Sequence, residues 1–274
     1  MQDLKVALIQ TTQFWEDKPA NYQHLESAFL TRISPNEADL IVLPEMFNTG
    51  FTMNAKEMHE TMDGEALEWL RSWAAKLQCQ LGGSLIIKEG DCYFNRFVIA
   101  SEEGVLNYYD KRHLFRMADE HDHFSPGNRR VIHHIRGWRV LMQVCYDLRF
   151  PVFSRNRTIQ GDTEYDAVIY VANWPAKRAG IWKNLLQARA IENQAFCIGL
   201  NRVGEDGNGI AYSGDAMVID PWGNVSTPIP ANQEDMAVIP LDYSVLKGIK
   251  KTFPAYLDAE SKFNLGESIV TKSE

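Results

Sequence analysis

The sequence WRVLMQVCYDLRFP, residues 138–151, contains a short apolar run that ends at a cysteine. Residues 138–144 are mostly apolar and rich in branched side chains, which is typical of a buried β-strand. After Cys145 the pattern changes to mixed polar and apolar residues, so we expect the strand to end there. Cys145 is then either a small buried thiol, the usual state of a free cysteine, or a nucleophile presented at the strand end.

Short apolar runs of this kind alternate with helical patterns along the rest of the chain. Asp63 is a suitable N-cap for an amphipathic helix that continues through Gln78. We predict two further helices, at Asn21–Ile33 and Ile181–Gln194. We predict strands at Leu4–Gln10, Asp39–Leu43, Gln80–Ile87, Tyr93–Ala100, Val105–Tyr109, Arg130–Ile135, Trp138–Val144, Asp166–Ala172, Phe196–Asn201 and Asp215–Asp220.

This interleaving of helices with strands and strand hairpins predicts an α/β protein with mixed sheets covered by helices. The sequence contains no internal repeat, low-complexity tract or linker rich in Pro, Gly and Ser. We therefore predict a single domain over residues 1–274, with a short C-terminal arm at about 245–274.

Composition and charge exclude several classes of function. The chain has 274 residues, of which 45% are hydrophobic and 23% charged, and its net charge is -8. This charge argues against a broad nucleic-acid surface, and no segment approaches the ~18 consecutive apolar residues of a membrane span. The four cysteines form no CxxC pair, and the N-terminus lacks the features of a signal peptide. We expect a cytoplasmic protein with neither nucleic-acid nor membrane partners.

Two charged residues also stand at the ends of strand-like runs. Glu45 closely follows the buried run in LIVLPEMF, and Lys111 follows the run that ends in YYDKRHLF. Taken singly, Glu45 could be a solvated loop carboxylate and Lys111 a surface lysine. Together with Cys145 they form a chemically complete set. A thiol that attacks a carbonyl needs a base and a group that stabilises the oxyanion.

Three motifs in this order resemble the Glu-Lys-Cys pattern of the nitrilase superfamily of carbon–nitrogen hydrolases. They are LPEMF (43–47), YDKRHLF (109–115) and VCYDLRFP (144–151), and the likeness extends from VALIQ near the start to DPWG near position 223. Within the superfamily the sequence most resembles the omega-amidase group. One departure is Ala216, which stands where the family commonly has a hydroxyl residue.

The resemblance implies a four-layer αββα sandwich with the site between the two sheets, at their strand ends. It implies that Cys145 is the nucleophile, Glu45 the general base and acid, and Lys111 the oxyanion stabiliser. Glu120, upstream of Ser125-Pro126-Gly127, matches a second family glutamate that supports Lys111. No cofactor or metal is implied. Homodimer contacts are common in the family, so we expect a homodimer.

Substrate recognition is predicted from strand-end positions. A distal carboxylate on the substrate would need a cation. Arg178 and Arg202 are the candidates, because they follow the strand-end motifs VANWP and LNRVG. Arg149 is instead expected to pair with a neighbouring acid. The predicted pocket walls are Phe47, Tyr146 and Trp174.

The histidines offer an alternative chemistry. His121 and His123, with His133 and His134, could form a zinc or manganese cluster with the acids of residues 119–122. Neither an HExxH motif nor a cysteine pair supports such a site, and solvated loop histidines are the simpler interpretation. We expect no bound metal.

The sequence therefore predicts an amidohydrolase that acts on a small linear omega-amide, such as 2-oxoglutaramate or 2-oxosuccinamate. The product would be the acid and ammonia, formed through a cysteine thioester. Three alternatives stay open: an amidase of deaminated glutathione or another peptide-like amide, a non-catalytic protein that keeps the fold, and a metallohydrolase.

Overall fold

Sixteen strands and seven α-helices build the protein in a computed structural model that describes residues 2–259. Strands β1–β8 are Leu4–Gln10, Leu40–Val42, Gln80–Glu89, Cys92–Ser101, Gly104–Asp110, Ile132–Ile135, Trp138–Val144 and Thr158–Ile159. Strands β9–β16 are Asp162–Thr163, Ala167–Ala172, Phe196–Asn201, Val203–Glu205, Ala211–Ser213, Met217–Ile219, Val225–Ser226 and Asp235–Leu241. Helices α1–α7 are Lys18–Ala28, Ala55–Met58, Glu65–Leu77, Glu120–His123, Pro151–Ser154, Ala179–Asn193 and Tyr243–Thr252.

Two six-stranded mixed sheets form the centre of the fold. The first has the strand order β16-β1-β2-β3-β4-β5, and the second has the order β15-β14-β11-β10-β7-β6. The strands β1, β2 and β3 are parallel in the first sheet, and β7, β10 and β11 are parallel in the second. The remaining neighbours are antiparallel. In each sheet the parallel strands direct their carboxyl ends to one edge, where ligand sites of α/β proteins form.

The layers follow from strands that are apolar on both faces. In β1, Leu4, Val6 and Leu8 belong to the core between the sheets. Ala7 and Ile9, on the opposite face, pack with residues of α1 and α3. On the far side, α6 packs on the second sheet through Trp182 and its neighbours. The predicted αββα sandwich is confirmed.

Most predicted elements exist, with different ends. The helix predicted at 21–33 begins earlier, at Lys18, because Asp17 caps it through a hydrogen bond from Ala20 N (3.0 Å). It ends at Ala28, and a 3₁₀ turn follows. Asp63 is not the cap of α3, since Gly64 holds that position. Strand β6 starts two residues later than predicted, and β14 is limited to Met217–Ile219.

The described part of the C-terminal arm packs on its own chain. Leu246 and Ile249 of α7 are buried, and Lys250 donates to Asp162 and Asp166 at 3.0 and 3.2 Å. The rest of the predicted arm, residues 260–274, lies outside the described residues. Within residues 2–259, no helix combines the length and the apolar character needed to cross a bilayer.

Candidate active site

The ends of three strands bring Glu45, Lys111 and Cys145 together. Glu45 lies just beyond β2, Lys111 directly follows β5, and Cys145 directly follows β7. The Nζ of Lys111 is 2.9 Å from Glu45 Oε1, and both side chains are fully buried. The Cys145 Sγ lies 3.8 Å from the carbonyl oxygen of Asn173. Residues far apart in the sequence thus meet between the two sheets, as the strand-end pattern predicted.

Glu120 completes the ionic centre. Lys111 Nζ donates to both of its carboxylate oxygens at 2.9 Å, and Phe115 N donates to Oε2 at 2.5 Å. Glu120 is fully buried. Buried charges are tolerated only when they are paired and hydrogen-bonded, so the lysine held between two glutamates forms one interdependent unit.

Two asparagines that the sequence interpretation missed fix the orientation of these groups. Asn95 Nδ2 donates to Glu45 Oε1 at 2.8 Å and to Glu120 Oε1 at 3.3 Å. Asn173 holds Glu45 twice, from its backbone N to Oε2 (2.8 Å) and from Nδ2 to the Glu45 carbonyl (2.6 Å). Asn173 directly follows β10, so the strand-end rule could have found it. Asn95 lies inside β4, where only its polarity within a largely apolar strand marks it.

The electrostatics of the site follow from this burial. Burial disfavours the Lys111 ammonium, but Glu120 and Glu45 outweigh that effect and raise its pKa above the usual value. Burial raises the pKa of the Cys145 thiol well above its usual range, and the Glu45 carboxylate adds to this rise despite the opposing charge of Lys111. Burial likewise raises the pKa of Glu120, although Lys111 opposes the rise. Burial and the neighbouring carboxylate thus favour the thiol over the thiolate, so a base that removes the proton would assist nucleophilic attack.

The backbone at Cys145 is unusual. Its φ is +44°, in the left-handed region that non-glycine residues rarely occupy. The residue also opens the 3₁₀ helix Cys145–Arg149. Backbone N–H groups in the first turn of a helix lack intrahelical acceptors. The N–H of Tyr146 is therefore available to an oxyanion beside the thiol.

A cavity of about 500 Å³ opens above the thiol. Lys111, Cys145 and Asn173 line it. Aromatic side chains form much of the wall: Trp15, Phe51, Phe115, Tyr146, Trp174 and Tyr212. Tyr146 and Trp174 thus lie where the sequence interpretation placed them, in the wall of the pocket.

Two arginines line the same cavity. The guanidinium carbon of Arg178 is 5.3 Å from the ring centroid of Phe115. That of Arg149 is 5.3 Å from the ring centroid of Trp174. Within residues 2–259, no carboxylate lies within 4.0 Å of either guanidinium. The expected structural ion pair of Arg149 is therefore absent from this part of the chain. The neighbouring acid, Asp147, is occupied by other donors.

Arg202 and Phe47 do not line the cavity, which corrects two predictions. Arg202 is fully buried, and its guanidinium donates to the carbonyls of Val203 (3.0 Å), Glu205 (3.1 Å) and Gln13 (3.3 Å). Those carbonyls hold its side chain away from the cavity.

Phe47 is also fully buried, in the core beneath the outer helices. It stacks on Trp69 with 5.8 Å between ring centroids. The chain reverses at Met46, whose φ is +45°. That reversal turns Phe47 away from the site.

The histidines do not gather into one cluster. His133 is buried in β6, and its Nε2 hydrogen-bonds Gln80 Oε1 at 2.7 Å. Asp119, His121 and Asp122 each offer one ligand atom within 4.8 Å of the others, at the surface. Glu120 lies between them in sequence but faces Lys111. The predicted absence of a metal stays a prediction.

Comparison with known proteins identifies the family. The Carbon-nitrogen hydrolase family matches residues 5–251. Omega-amidase YafV of Escherichia coli (strain K12) is 45% identical over 260 residues, 95% of this chain and 98% of that protein. The 2-oxoglutaramate amidase of Bacillus subtilis (strain 168) is 31% identical over 237 residues, 85% of this chain and 89% of that protein.

A solved structure agrees with these relatives. It is a CN-hydrolase superfamily protein from Xanthomonas campestris, which carries an arsenic adduct in its active site. It matches with a TM-score of 0.92 and 42% identity, over 97% of this chain and 100% of that chain. The likeness read from the three motifs is confirmed. The chain belongs to the carbon–nitrogen hydrolase family and is an amide-hydrolysing enzyme.

Proposed function

We propose that the enzyme releases ammonia from a small linear omega-amide of a dicarboxylic or 2-oxo dicarboxylic acid, through a thioester on Cys145. The observation that carries this proposal is the buried set of Glu45, Lys111 and Cys145 beside one cavity. The substrates would be of the 2-oxoglutaramate or 2-oxosuccinamate type. The E. coli and B. subtilis relatives carry omega-amidase and 2-oxoglutaramate amidase names.

The acylation half-reaction begins with proton transfer from the thiol and ends with the release of ammonia. Glu45 removes the thiol proton, and the sulfur of Cys145 attacks the amide carbon. Lys111 has three N–H donors and contacts three carboxylate oxygens, one on Glu45 and two on Glu120. When one N–H serves both oxygens of Glu120 and another serves Glu45, the third turns to the oxyanion. The N–H of Tyr146 adds a second oxyanion donor. Glu45 then gives its proton to the amide nitrogen, the C–N bond breaks, and ammonia leaves.

The deacylation half-reaction reuses the same base. Glu45 takes a proton from water, and the resulting hydroxide attacks the thioester carbon. The C–S bond then breaks and the thiolate recovers the proton, which frees the acid and restores the enzyme. Glu120 and Asn95 keep Lys111 and Glu45 in place throughout, through the hydrogen bonds described above. No step requires a metal or cofactor.

Arg178 and Arg149 would recognise the substrate carboxylate. Both line the cavity, and guanidinium groups bind carboxylates through strong, charge-assisted hydrogen bonds. Arg149 takes the role that Arg202 was predicted to share.

The size of the cavity supports a second candidate. A volume of about 500 Å³ lies within the range of pockets that accept drug-sized ligands. A five-carbon monoamide would leave part of that space unfilled. An amidase of deaminated glutathione, or of another peptide-like amide with a terminal carboxylate, fits the same chemistry.

An ammonia-release screen tests the proposal. Purified enzyme and its Cys145→Ala variant are assayed on short dicarboxylic monoamides, on peptide-like amides and on neutral amides of matched length. We expect release from the short anionic amides and none from the variant. Preference for the peptide-like amides would favour the second candidate. Release by the variant at the parent's rate would refute the thioester mechanism, and no release from any of these amides would contradict the proposed substrates.

A further inference from the structure

Asp147, two residues after the cysteine, is a fully buried carboxylate to which the mechanism above gives no role. Four donors surround it. Oδ2 accepts from Val144 N at 3.1 Å and from the Tyr109 hydroxyl at 2.8 Å. Oδ1 accepts from His113 at its backbone N (3.0 Å) and at Nδ1 (2.8 Å). Such a complete set of donors is what allows a carboxylate to be buried.

The four donors come from the two segments that carry the reacting groups. Val144 immediately precedes Cys145. Tyr109 and His113 flank Lys111, two residues away on either side. The Tyr109 hydroxyl also accepts from the backbone N of Arg112 at 3.2 Å. One carboxylate therefore joins the nucleophile's turn to the lysine's loop across the two sheets.

The conformation of Cys145 makes such a support necessary. A non-glycine residue at φ +44° persists only when its surroundings over-determine the backbone. The hydrogen bond from Val144 N to Asp147 closes the turn directly before that residue. Losing this acceptor would free the turn to relax, and the thiol would move relative to Glu45 and Lys111.

His113 is held in place for this contact. Its ring stacks on Phe150 with 3.9 Å between centroids and an interplanar angle of 9°. It also meets the ring of Phe153 edge-on at 5.5 Å. The Nδ1 faces an acceptor, so the tautomer that bonds Asp147 carries a proton on Nδ1.

We propose that Asp147, held by His113, is a positioning residue that keeps Cys145 aligned with Lys111 and Glu45. It touches neither the substrate nor the reacting atoms. The proposal rests on the proposed function, in which Cys145 is the nucleophile.

Asp147→Asn is the direct test, because it preserves shape but replaces one acceptor oxygen with a donor. We expect kcat to fall by about tenfold to a hundredfold, since a misplacement of about 1 Å can cost that much. KM should change less than kcat, because most of the residues that line the cavity lie outside the turn of residues 145–149. The matched control is Asp166→Asn. Asp166 is another buried carboxylate, which accepts from Arg139 N (3.1 Å) and Nε (2.9 Å). It precedes β10 at the end opposite Asn173, about 20 Å away at the usual rise of a strand. The control should lower the melting temperature and leave kcat per folded molecule unchanged.

A pair of His113 variants covers the case in which Asp147→Asn does not fold. The amide of His113→Asn can place a donor near the Nδ1 position, whereas His113→Ala cannot. We expect Asn to retain most of kcat and Ala to lose it in the manner of Asp147→Asn. Equal kcat for the two His113 variants, or a parental kcat in folded Asp147→Asn, would overturn the proposal.

A second readout separates this proposal from the proposed function. The rate at which iodoacetamide alkylates Cys145, followed by peptide mass spectrometry, reports the thiol's environment without any amide substrate. We expect this rate to fall in Asp147→Asn and His113→Ala, and to stay parental in Asp166→Asn. If the parent released no ammonia from any amide, the proposed function would fail. The alkylation rates would still decide whether Asp147 positions the thiol.

Discussion

Lys111 carries the only positive charge in direct contact with Glu45 and Glu120 among the described residues. Lys111→Ala leaves two buried carboxylates unpaired, which typically costs about 3–5 kcal/mol of stability. It also removes an oxyanion donor, so we expect kcat per folded molecule to fall about a hundredfold to a thousandfold. Steady-state kinetics with a thermal melt check both effects. Lys76→Ala, on the exposed face of α3, is the control, and a loss of similar size there would mean that Lys111 has no special role.

The two cavity arginines should determine the preference for an anionic amide. A charge-assisted contact between a guanidinium and a carboxylate contributes about 1.5–3 kcal/mol. Removing it should raise KM for an anionic amide by about one to two powers of ten. Turnover of a neutral amide of equal length should barely change. Arg178→Ala and Arg149→Ala are each assayed on both amides. If neither variant distinguishes the two substrates, the carboxylate subsite is misassigned.

The sequence pattern predicted those site residues whose role follows from their position along the backbone. Glu45, Lys111 and Cys145 follow strand ends, so the pattern alone could bring them to one edge. Side chains that depend on tertiary partners could not be placed this way. Arg202 is held by three backbone carbonyls. The chain reversal at Met46 turns Phe47 away from the cavity and into the core beneath the outer helices. The residues next to Arg202 and Phe47 in the sequence do not indicate either of these arrangements.

Strands that are apolar on both faces were easier to predict than helix ends. In a strand that is apolar on both faces, several consecutive residues indicate burial, as in residues 138–144. Helix ends depend on single capping contacts, such as that of Asp17. The ends of α1 and α3 therefore differ from the predicted ones by up to five residues.

The contact between α6 and β11 depends on a missing side chain. A Cβ on Gly199 would lie 2.3 Å from Leu186 Cδ1 and 2.8 Å from Trp182 Cζ2. We expect Gly199→Ala to destabilise the fold by about 1–3 kcal/mol, because the buried side chains of Leu186 and Trp182 would have to shift within a packed core. Urea unfolding measures this. Gly180→Ala, also in α6 but with open space around it, should be neutral or stabilising by up to about 1 kcal/mol. Equal destabilisation by both changes would contradict this packing.

At the scale of the molecule, a hydrogen bond from His133 to Gln80 links β6 to β3 across the two sheets. Burial lowers the pKa of His133 from 6.5 to about 4, with a smaller contribution from His134. Between pH 6.5 and 4 the unfolded chain binds a proton at this site that the folded protein excludes. The contribution of neutral His133 to the free energy of unfolding is therefore fully present above pH 6.5. It is lost as pH falls toward 4, and the loss reaches about 3 kcal/mol.

His133→Gln should remove that loss, and His134→Gln should keep it. Urea unfolding of the three proteins between pH 4 and 7 gives the difference in slope. Identical slopes for the parent and His133→Gln would show that the buried histidine is not responsible.

The expected homodimer stays a prediction, as does the cytoplasmic location. Light scattering on purified protein would give the mass of the assembly. Glu45, Lys111 and Glu120 meet within one chain, beside Cys145.

Turnover through a thioester requires that Cys145 becomes acylated. Rapid acid quenching of the enzyme with a slowly hydrolysed amide, followed by peptide mass spectrometry, tests it directly. We expect a mass increase equal to the substrate's acyl group on the peptide that contains Cys145, and no such increase in Cys145→Ala. Ammonia release with no adduct under conditions where acylation outpaces deacylation, or an adduct on Cys79, Cys92 or Cys197 instead, would contradict it.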